Sequence, residues 1–333
     1  MIIDCHTHIL YTGADPGARL FMKELVRGYF QGTGKLPAYR DPSDEDWEPL
    51  EYQFQPILPE VSIADHDAVG VDKIVILAVA PSEYTRYGIR GLWDPTDVTK
   101  QPRPHTLDQV NDRVAALVVM YPDKFIGFAA VNPRYKGVDW AVRELHRAII
   151  ELGLTGLKLY PGYDRYSPDD RDLMWPIWEK AQELQIPVMV HQASSKATGF
   201  KMAYGRPFLL DDVGYEFPEL RLLVCHVGMP WVDECISLLA KQPNFYTDVS
   251  GFNAASTRRE MFLFLDKCRR WGLPLSRVCW GSDYPCFEGL DTLLPKFQSL
   301  NEEAEALGLA RFSAQDMDGM LGGNFLRFVS GAS

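Results

Sequence analysis

The sequence offers no segment that could span a bilayer. Its longest apolar runs, such as Ile74 to Ala80, fall far short of the ~20 residues a membrane helix needs. Positive charge is also scarce: lysine and arginine number 34 against 45 aspartates and glutamates, for a net charge of −11. A phosphate backbone would be repelled over most of such a surface, which argues against a nucleic-acid partner. Cysteine is sparse and lacks paired spacing, so six in 333 residues suggest no disulfide framework. Cys5, Cys225 and Cys279 lie inside apolar runs, where a reduced thiol behaves as a small hydrophobe; the expectation is buried free thiols in a reducing cytoplasm. No basic segment precedes Asp4, so the N-terminus does not read as a secretory leader. There is no internal repeat and no low-complexity tract.

What is present is a composition of 46% hydrophobic and 24% charged residues, that of a globular chain with a large core. Short β-rich runs recur at Met1–His8, Lys73–Ala80, Phe125–Val131, Thr155–Tyr160, Pro187–His191, Arg221–His226, Asn244–Val249 and Arg277–Asp283. Helical period lies between them, for example over Val138–Leu152, Asp172–Leu184, Val232–Lys241 and Arg258–Trp271. Eight strands alternating with helices predict a single (β/α)₈ barrel over 1–333. The runner-up, a doubly wound sheet, lacks a glycine-rich turn after strand one. Two stretches break the rhythm, 11–56 after strand one and 81–106 after strand two. Both are strand-to-helix connections, which emerge where a barrel carries its active site, and both are rich in aromatic residues. They read as cap insertions over a substrate pocket within the one domain.

The chemistry-bearing residues stand where apolar strands stop. Asp4-Cys5-His6-Thr7-His8 places two imidazoles one pleat apart on one strand face, a weak signal alone. His191 follows Val188-Met189-Val190, His226 follows Leu223-Val224-Cys225, and Asp283 follows Trp280-Gly281-Ser282. A barrel brings such strand ends together. The set in this order predicts a site for one divalent metal, where a metal-bound water would reach a pKa near ~7. Asp4 is either a support for His6 or a surface carboxylate.

This pattern resembles the amidohydrolase superfamily, and more narrowly the amidohydrolase-related branch that includes aminocarboxymuconate-semialdehyde decarboxylase-like enzymes. H-x-H on strand one, histidines ending strands five and six, and Gly281-Ser282-Asp283-Tyr284-Pro285 on strand eight carry the resemblance. Gly156-Leu157-Lys158-Leu159 and Asp248-Val249-Ser250-Gly251 follow the branch order as well. The resemblance implies His6, His8, His191 and Asp283 as ligands of one metal per chain, most often Zn²⁺, with Mn²⁺ as the alternative. It implies His226 and Asp283 as the catalytic, proton-handling pair.

Lys158 is a candidate for holding a substrate carboxylate as a point charge, alongside a structural ion pair and, in other branches, carboxylation. His105, Trp47 and Trp93 are candidate pocket residues in the insertions. One of Arg40, Arg86, Arg90 and Arg206 is a candidate clamp for an anion. His66 and His146 read as solvated surface residues, and Asp248 as structural or lining the mouth. For the reaction, His226-Val227-Gly228-Met229-Pro230 lacks the glycine-rich run common after this histidine in the decarboxylases, which favours hydrolysis of a small cyclic or aromatic lactone, ester, amide or carboxylate. Non-oxidative decarboxylation of an aromatic or unsaturated acid is the alternative, and a non-catalytic metal-binding protein a remote one. A metal-free lactonase would leave His6, His8 and His191 without a common purpose. The expected partner is a small molecule; homo-oligomers are the common default.

Overall fold

The polypeptide is described by a computed structural model covering residues 1–8, 27, 30–31, 34–40, 42–50, 58–79, 107–195, 200–287 and 289–331. Each predicted apolar run forms a strand: β1 (Ile3–Thr7), β2 (Lys73–Leu77), β3 (Phe125–Ala130), β4 (Gly156–Leu159), β5 (Val188–Val190), β6 (Leu222–Val224), β7 (Phe245–Asp248) and β8 (Val278–Cys279). They pair in sequence order, every neighbour parallel. Such strands are buried on both faces, which explains their continuous Val, Ile and Leu character.

The last seam closes differently. β8 has only two residues in regular pairing, and the chain beyond it meets β1 through separate backbone bonds. Cys5 N donates to Trp280 O (3.3 Å), Asp283 N to His6 O (2.8 Å) and His8 N to Tyr284 O (2.8 Å). With these, eight strands make a (β/α)₈ barrel.

Helices pack around the sheet: α1 (Pro59–Ala68), α2 (Leu107–Met120), α3 (Val138–Ile150), α4 (Arg171–Glu183), α5 (Asp211–Glu216), α6 (Val232–Lys241), α7 (Arg258–Arg270), α8 (Leu290–Gln298) and α9 (Asn324–Ser330). Their starts are set by side chains that satisfy orphan amides. Asp170 accepts from Leu173 N at α4, and Thr257 and Glu260 form a reciprocal capping box at α7. The apolar face of α3 turns Ala141, Leu145 and Ala148 into the core. Helix α9 floors the barrel: Phe325 and Phe328 pack with Leu77, Phe128, Met189 and Leu223 in the interior. Polar groups at this end are bonded to backbone. Arg277 Nη1 donates to Leu239, Gln242 and Phe245 carbonyls, and Asn324 Nδ2 to those of Leu275 and Val278.

Of the first insertion, Phe30, Leu36, Trp47 and Leu50 are buried in a small cluster with Tyr163, Phe200 and Cys286. The second, with Trp93, His105, Arg86 and Arg90, lies outside the described residues. All six cysteines are buried and free. Among the described residues, no helix is long and apolar enough to cross a membrane.

Candidate metal centre

The site begins with an irregularity in β1. Asp4 pairs opposite Ile74 and Thr7 opposite Ile76, so β1 carries one residue more than β2 across this interval. A bulge of this kind re-aims side chains. Simple alternation would put Asp4 on the face of His6. Instead Asp4 meets His66 of α1 (Nε2 to Oδ2, 3.3 Å), while His6 reaches the ends of β7 and β8.

His6 is fully buried, its Nδ1 3.0 Å from Asp248 Oδ2. A carboxylate only accepts, so Nδ1 carries the hydrogen and Nε2 presents a lone pair. That nitrogen has no hydrogen-bond partner among the described residues and lies 3.5 Å from Asp283 Oδ1. His8 Nε2 is 3.2 Å from the same oxygen. Donor atoms of His6, His8 and Asp283 thus all fall within 4.8 Å of one another.

His191, ending β5, is placed by a second chain of bonds. Its Nδ1 is 3.1 Å from His226 Nε2, and His226 Nδ1 lies 3.1 Å from the Ser250 carbonyl and 2.9 Å from Ser250 Oγ. The carbonyl fixes the hydrogen on His226 Nδ1, so His226 Nε2 accepts and His191 Nδ1 donates. His191 Nε2 is left bare, buried and without a partner among the described residues. Two separate networks therefore prepare two imidazoles with a free ring nitrogen, as metal ligation requires.

The charge states agree. Burial first, and the Lys158 ammonium second, push His6 down to about 3. Burial, the neighbouring His226 and Lys158 push His191 well below its ordinary value. Burial also lowers His226, against the pull of Asp283 and Asp248. Burial pushes the Asp283 carboxyl up, but the His6, His8 and His226 rings outweigh it and hold it at about 2. Neutral imidazoles and an ionised carboxylate are the donor set a divalent cation such as zinc takes. The residues present fit such an ion.

Lys158 stands on the interior face of β4, fully buried, its Nζ 2.8 Å from Cys225 Sγ and 5.2 Å from the Tyr160 ring centroid. Its charge helps keep His6, His191 and His226 unprotonated. Trp47 packs on Phe30 at 6.4 Å between ring centroids. The wall beside His191 is aromatic: Tyr163 at 5.0 Å, Phe200 at 5.6 Å and Tyr160 at 6.5 Å. Arg40 and Arg206 are paired with Asp46 and Glu234.

One reading from sequence changes and two open ones are decided. His66 is not a surface residue: it is fully buried, Nδ1 on the Ser62 carbonyl at 2.6 Å, because α1 lays this side against β1. His146 is exposed, as expected. Asp4 does support His6, through the backbone amide (His6 N to Oδ1, 3.2 Å) rather than the ring. The ring's partner is Asp248, with Ser250 beside it. Asp248 is fully buried; burial raises its carboxyl, but His6, His226 and Lys158 together hold it well below the usual range. The signal was there in Asp248-Val249-Ser250, a carboxylate ending a strand. Its partner on β1 was not readable locally.

A family model described as amidohydrolase matches residues 3–329. The chain belongs to the amidohydrolase family. The amidohydrolase-family chain is similar to gamma-resorcylate decarboxylase of Polaromonas sp., 23% identical, covering 82% of this chain and 91% of that protein. It is also similar to 2-amino-3-carboxymuconate-6-semialdehyde decarboxylase of Dictyostelium discoideum, 22% identical over 98% of this chain and 91% of that one. A hydratase is among the relatives as well. Among solved structures, a dihydroxybenzoic acid decarboxylase from Polaromonas sp., with bound manganese and the inhibitor 2-nitroresorcinol, superposes with a TM-score of 0.66. It is 19% identical and covers 99% of this chain and 96% of its own, a likeness that speaks for the fold.

Proposed function

We propose that this amidohydrolase-family enzyme is a metal-dependent, non-oxidative decarboxylase of a small aromatic or unsaturated carboxylic acid. The preference for hydrolysis rested on the missing glycines after His226. The backbone weakens that argument. His226, Val227 and Gly228 run through the left-handed region with φ of 59°, 48° and 67°. This is the path that glycine would favour, taken here by a β-branched residue at a cost of roughly 1–3 kcal/mol. The backbone enters the left-handed region without the glycines, so their absence is weak ground for choosing between the reactions. The relatives weigh toward decarboxylation: two that span nine-tenths of their own length release CO₂ by name.

The observation that carries the metal requirement is the pair of buried nitrogens, His6 Nε2 and His191 Nε2, that have no partner among the described residues. His6, His8, His191 and Asp283 are the proposed ligands, for zinc or manganese. Bound there, a divalent cation supplies Lewis acidity that lowers the cost of negative charge on substrate oxygens. The chain's own groups do the rest. Loss of CO₂ leaves an electron pair on carbon and calls for one proton at that atom. Asp283, ionised at rest, is suited to take that proton from the acid form of the substrate and return it to carbon. His226, one ring away, orients His191 and completes the proton-handling pair. Tyr160, Tyr163 and Phe200 offer flat faces to a conjugated ring. The cluster around Phe30 and Trp47 belongs to an insertion, 11–56, that we assign as part of a cap over the mouth.

The test is a panel of hydroxybenzoic and unsaturated dicarboxylic acids scored for CO₂, run beside lactones scored for ring opening and conjugated acids scored for hydration. Metal analysis accompanies it, with about one ion per chain expected. CO₂ release that stops on chelation and returns with Zn²⁺ or Mn²⁺ supports the reading. Lactone opening or hydration without CO₂ sinks it. In the same assay His226→Asn is expected to keep its metal and lose most turnover, ~10²-fold or more.

A further inference from the structure

The seam between β8 and β1 delivers three of the four proposed ligands, yet it has the least regular pairing in the barrel. An outer helix supplies what the ladder lacks. On α1, the His66 ring lies between two acceptors, the Ser62 carbonyl (Nδ1, 2.6 Å) and Asp4 Oδ2 (Nε2, 3.3 Å), which together fix its orientation. Both side chains are fully buried. Asp4 in turn gathers the two sides of the seam. Its Oδ1 accepts from His6 N on β1 (3.2 Å) and Ser282 N beyond β8 (2.9 Å), and its Oδ2 accepts from Ser282 Oγ. Ser282 Oγ then accepts from Tyr284 N (2.9 Å). The His66 ring meets the Tyr284 ring edge-on at 5.1 Å, and Tyr284 Oη donates to Asp65 Oδ2 (2.6 Å), again on α1. Asp283, held between Ser282 and Tyr284, has a φ of 62°, a conformation its surroundings must maintain.

We infer that His66 is a positioning residue for the metal centre: through Asp4 and Tyr284 it clamps the β8–β1 seam so that His6, His8 and Asp283 converge. None of its hydrogen bonds or ring contacts among the described residues is to a proposed ligand side chain, and it acts through these two partners. The inference rests on the proposed metal site, and the experiment separates the two. Metal-free protein is titrated with Zn²⁺ against a chromophoric chelator, and backbone hydrogen exchange is followed over 3–8 and 281–285. His66→Leu is expected to bind Zn²⁺ ~10–100-fold more weakly, the range for losing a supporting partner. Exchange should quicken in those two segments and stay slow in α3. His66→Gln, whose amide can still donate to Asp4, is expected to recover most of the affinity. A folded His66→Leu that melts earlier but binds Zn²⁺ as the parent does, with no local exchange change, overturns the inference and leaves the metal site standing. A parent chain that takes up no Zn²⁺ overturns both. Should His66→Leu fail to fold, Tyr284→Phe removes only the hydroxyl bond to Asp65. It is expected to weaken Zn²⁺ binding several-fold, and unchanged affinity there overturns the clamp.

Discussion

The two ends of the barrel solve opposite problems with the same strands. At the floor, aromatic side chains from α9 fill the interior, and the buried Arg277 and Asn324 spend their hydrogens on backbone carbonyls. Everything there favours the folded state. At the mouth, aromatic rings stand 5.0 and 6.5 Å from the His191 ring, imidazole nitrogens lack a hydrogen-bond partner among the described residues, and a lysine is fully buried nearby. A buried polar atom left unpaired costs on the order of 1–3 kcal/mol, and each left-handed non-glycine backbone a similar amount. The mouth is thus held in an unfavourable arrangement by the rest of the molecule. Such an end is built to bind, and the floor is built to hold it still.

Substitutions at the two ends should therefore separate function from stability. The largest effect is expected at His191→Ala, which removes a proposed ligand. Metal content should fall well below that of the parent and turnover drop by more than the ~10–100-fold seen for supporting partners, with unfolding unharmed. Full metal retention would erase the distinction between the ends. Next comes Phe325→Ala at the floor, expected to lower unfolding stability by ~3–5 kcal/mol in a denaturant titration while each folded chain still binds its metal. Metal loss in proportion would mean the ends are not separable. Asp248→Asn sharpens the comparison within the mouth. It leaves every ligand in place but weakens the acceptor that orients His6, so Zn²⁺ affinity should drop ~10–100-fold, or about 1.4–2.7 kcal/mol. Smallest is His146→Ala on the exposed side of α3, expected to stay within about ±0.5 kcal/mol and to leave turnover untouched. A larger change would show that α3 communicates with one end.

The barrel was legible because each strand is a short apolar run, and the strand-end histidines were legible because they interrupt such runs. That reading collected His6, His8, His191, His226 and Asp283, and the family resemblance singled out the four proposed ligands among them. The rest depended on neighbours far along the chain. His66 reads as solvated in Ala64-Asp65-His66-Asp67, since nothing local shows that α1 buries it against Asp4. The bulge that turns His6 inward is a register event between β1 and β2, invisible in either strand alone. Asp248 looked structural because its ring partner is a β1 residue. The hydrolysis preference leaned on a related gap: Val227 was read by its residue type, while its backbone angle follows the loop that Gly228 and its surroundings impose, where an added Cβ on Gly228 would lie 2.4 Å from Pro207 Cγ.

The joining of first strand to last has a consequence for how the enzyme comes into being. Asp4 and Ser282 bond across 278 positions of chain, so the ribosome must release nearly everything before these groups can meet. Contacts this distant in sequence form late and slow the search for the native state. An emerging chain carries the first two histidines from the start but no eighth strand to complete their company. Capture of a cation by the proposed ligands would therefore wait until the eighth strand has emerged.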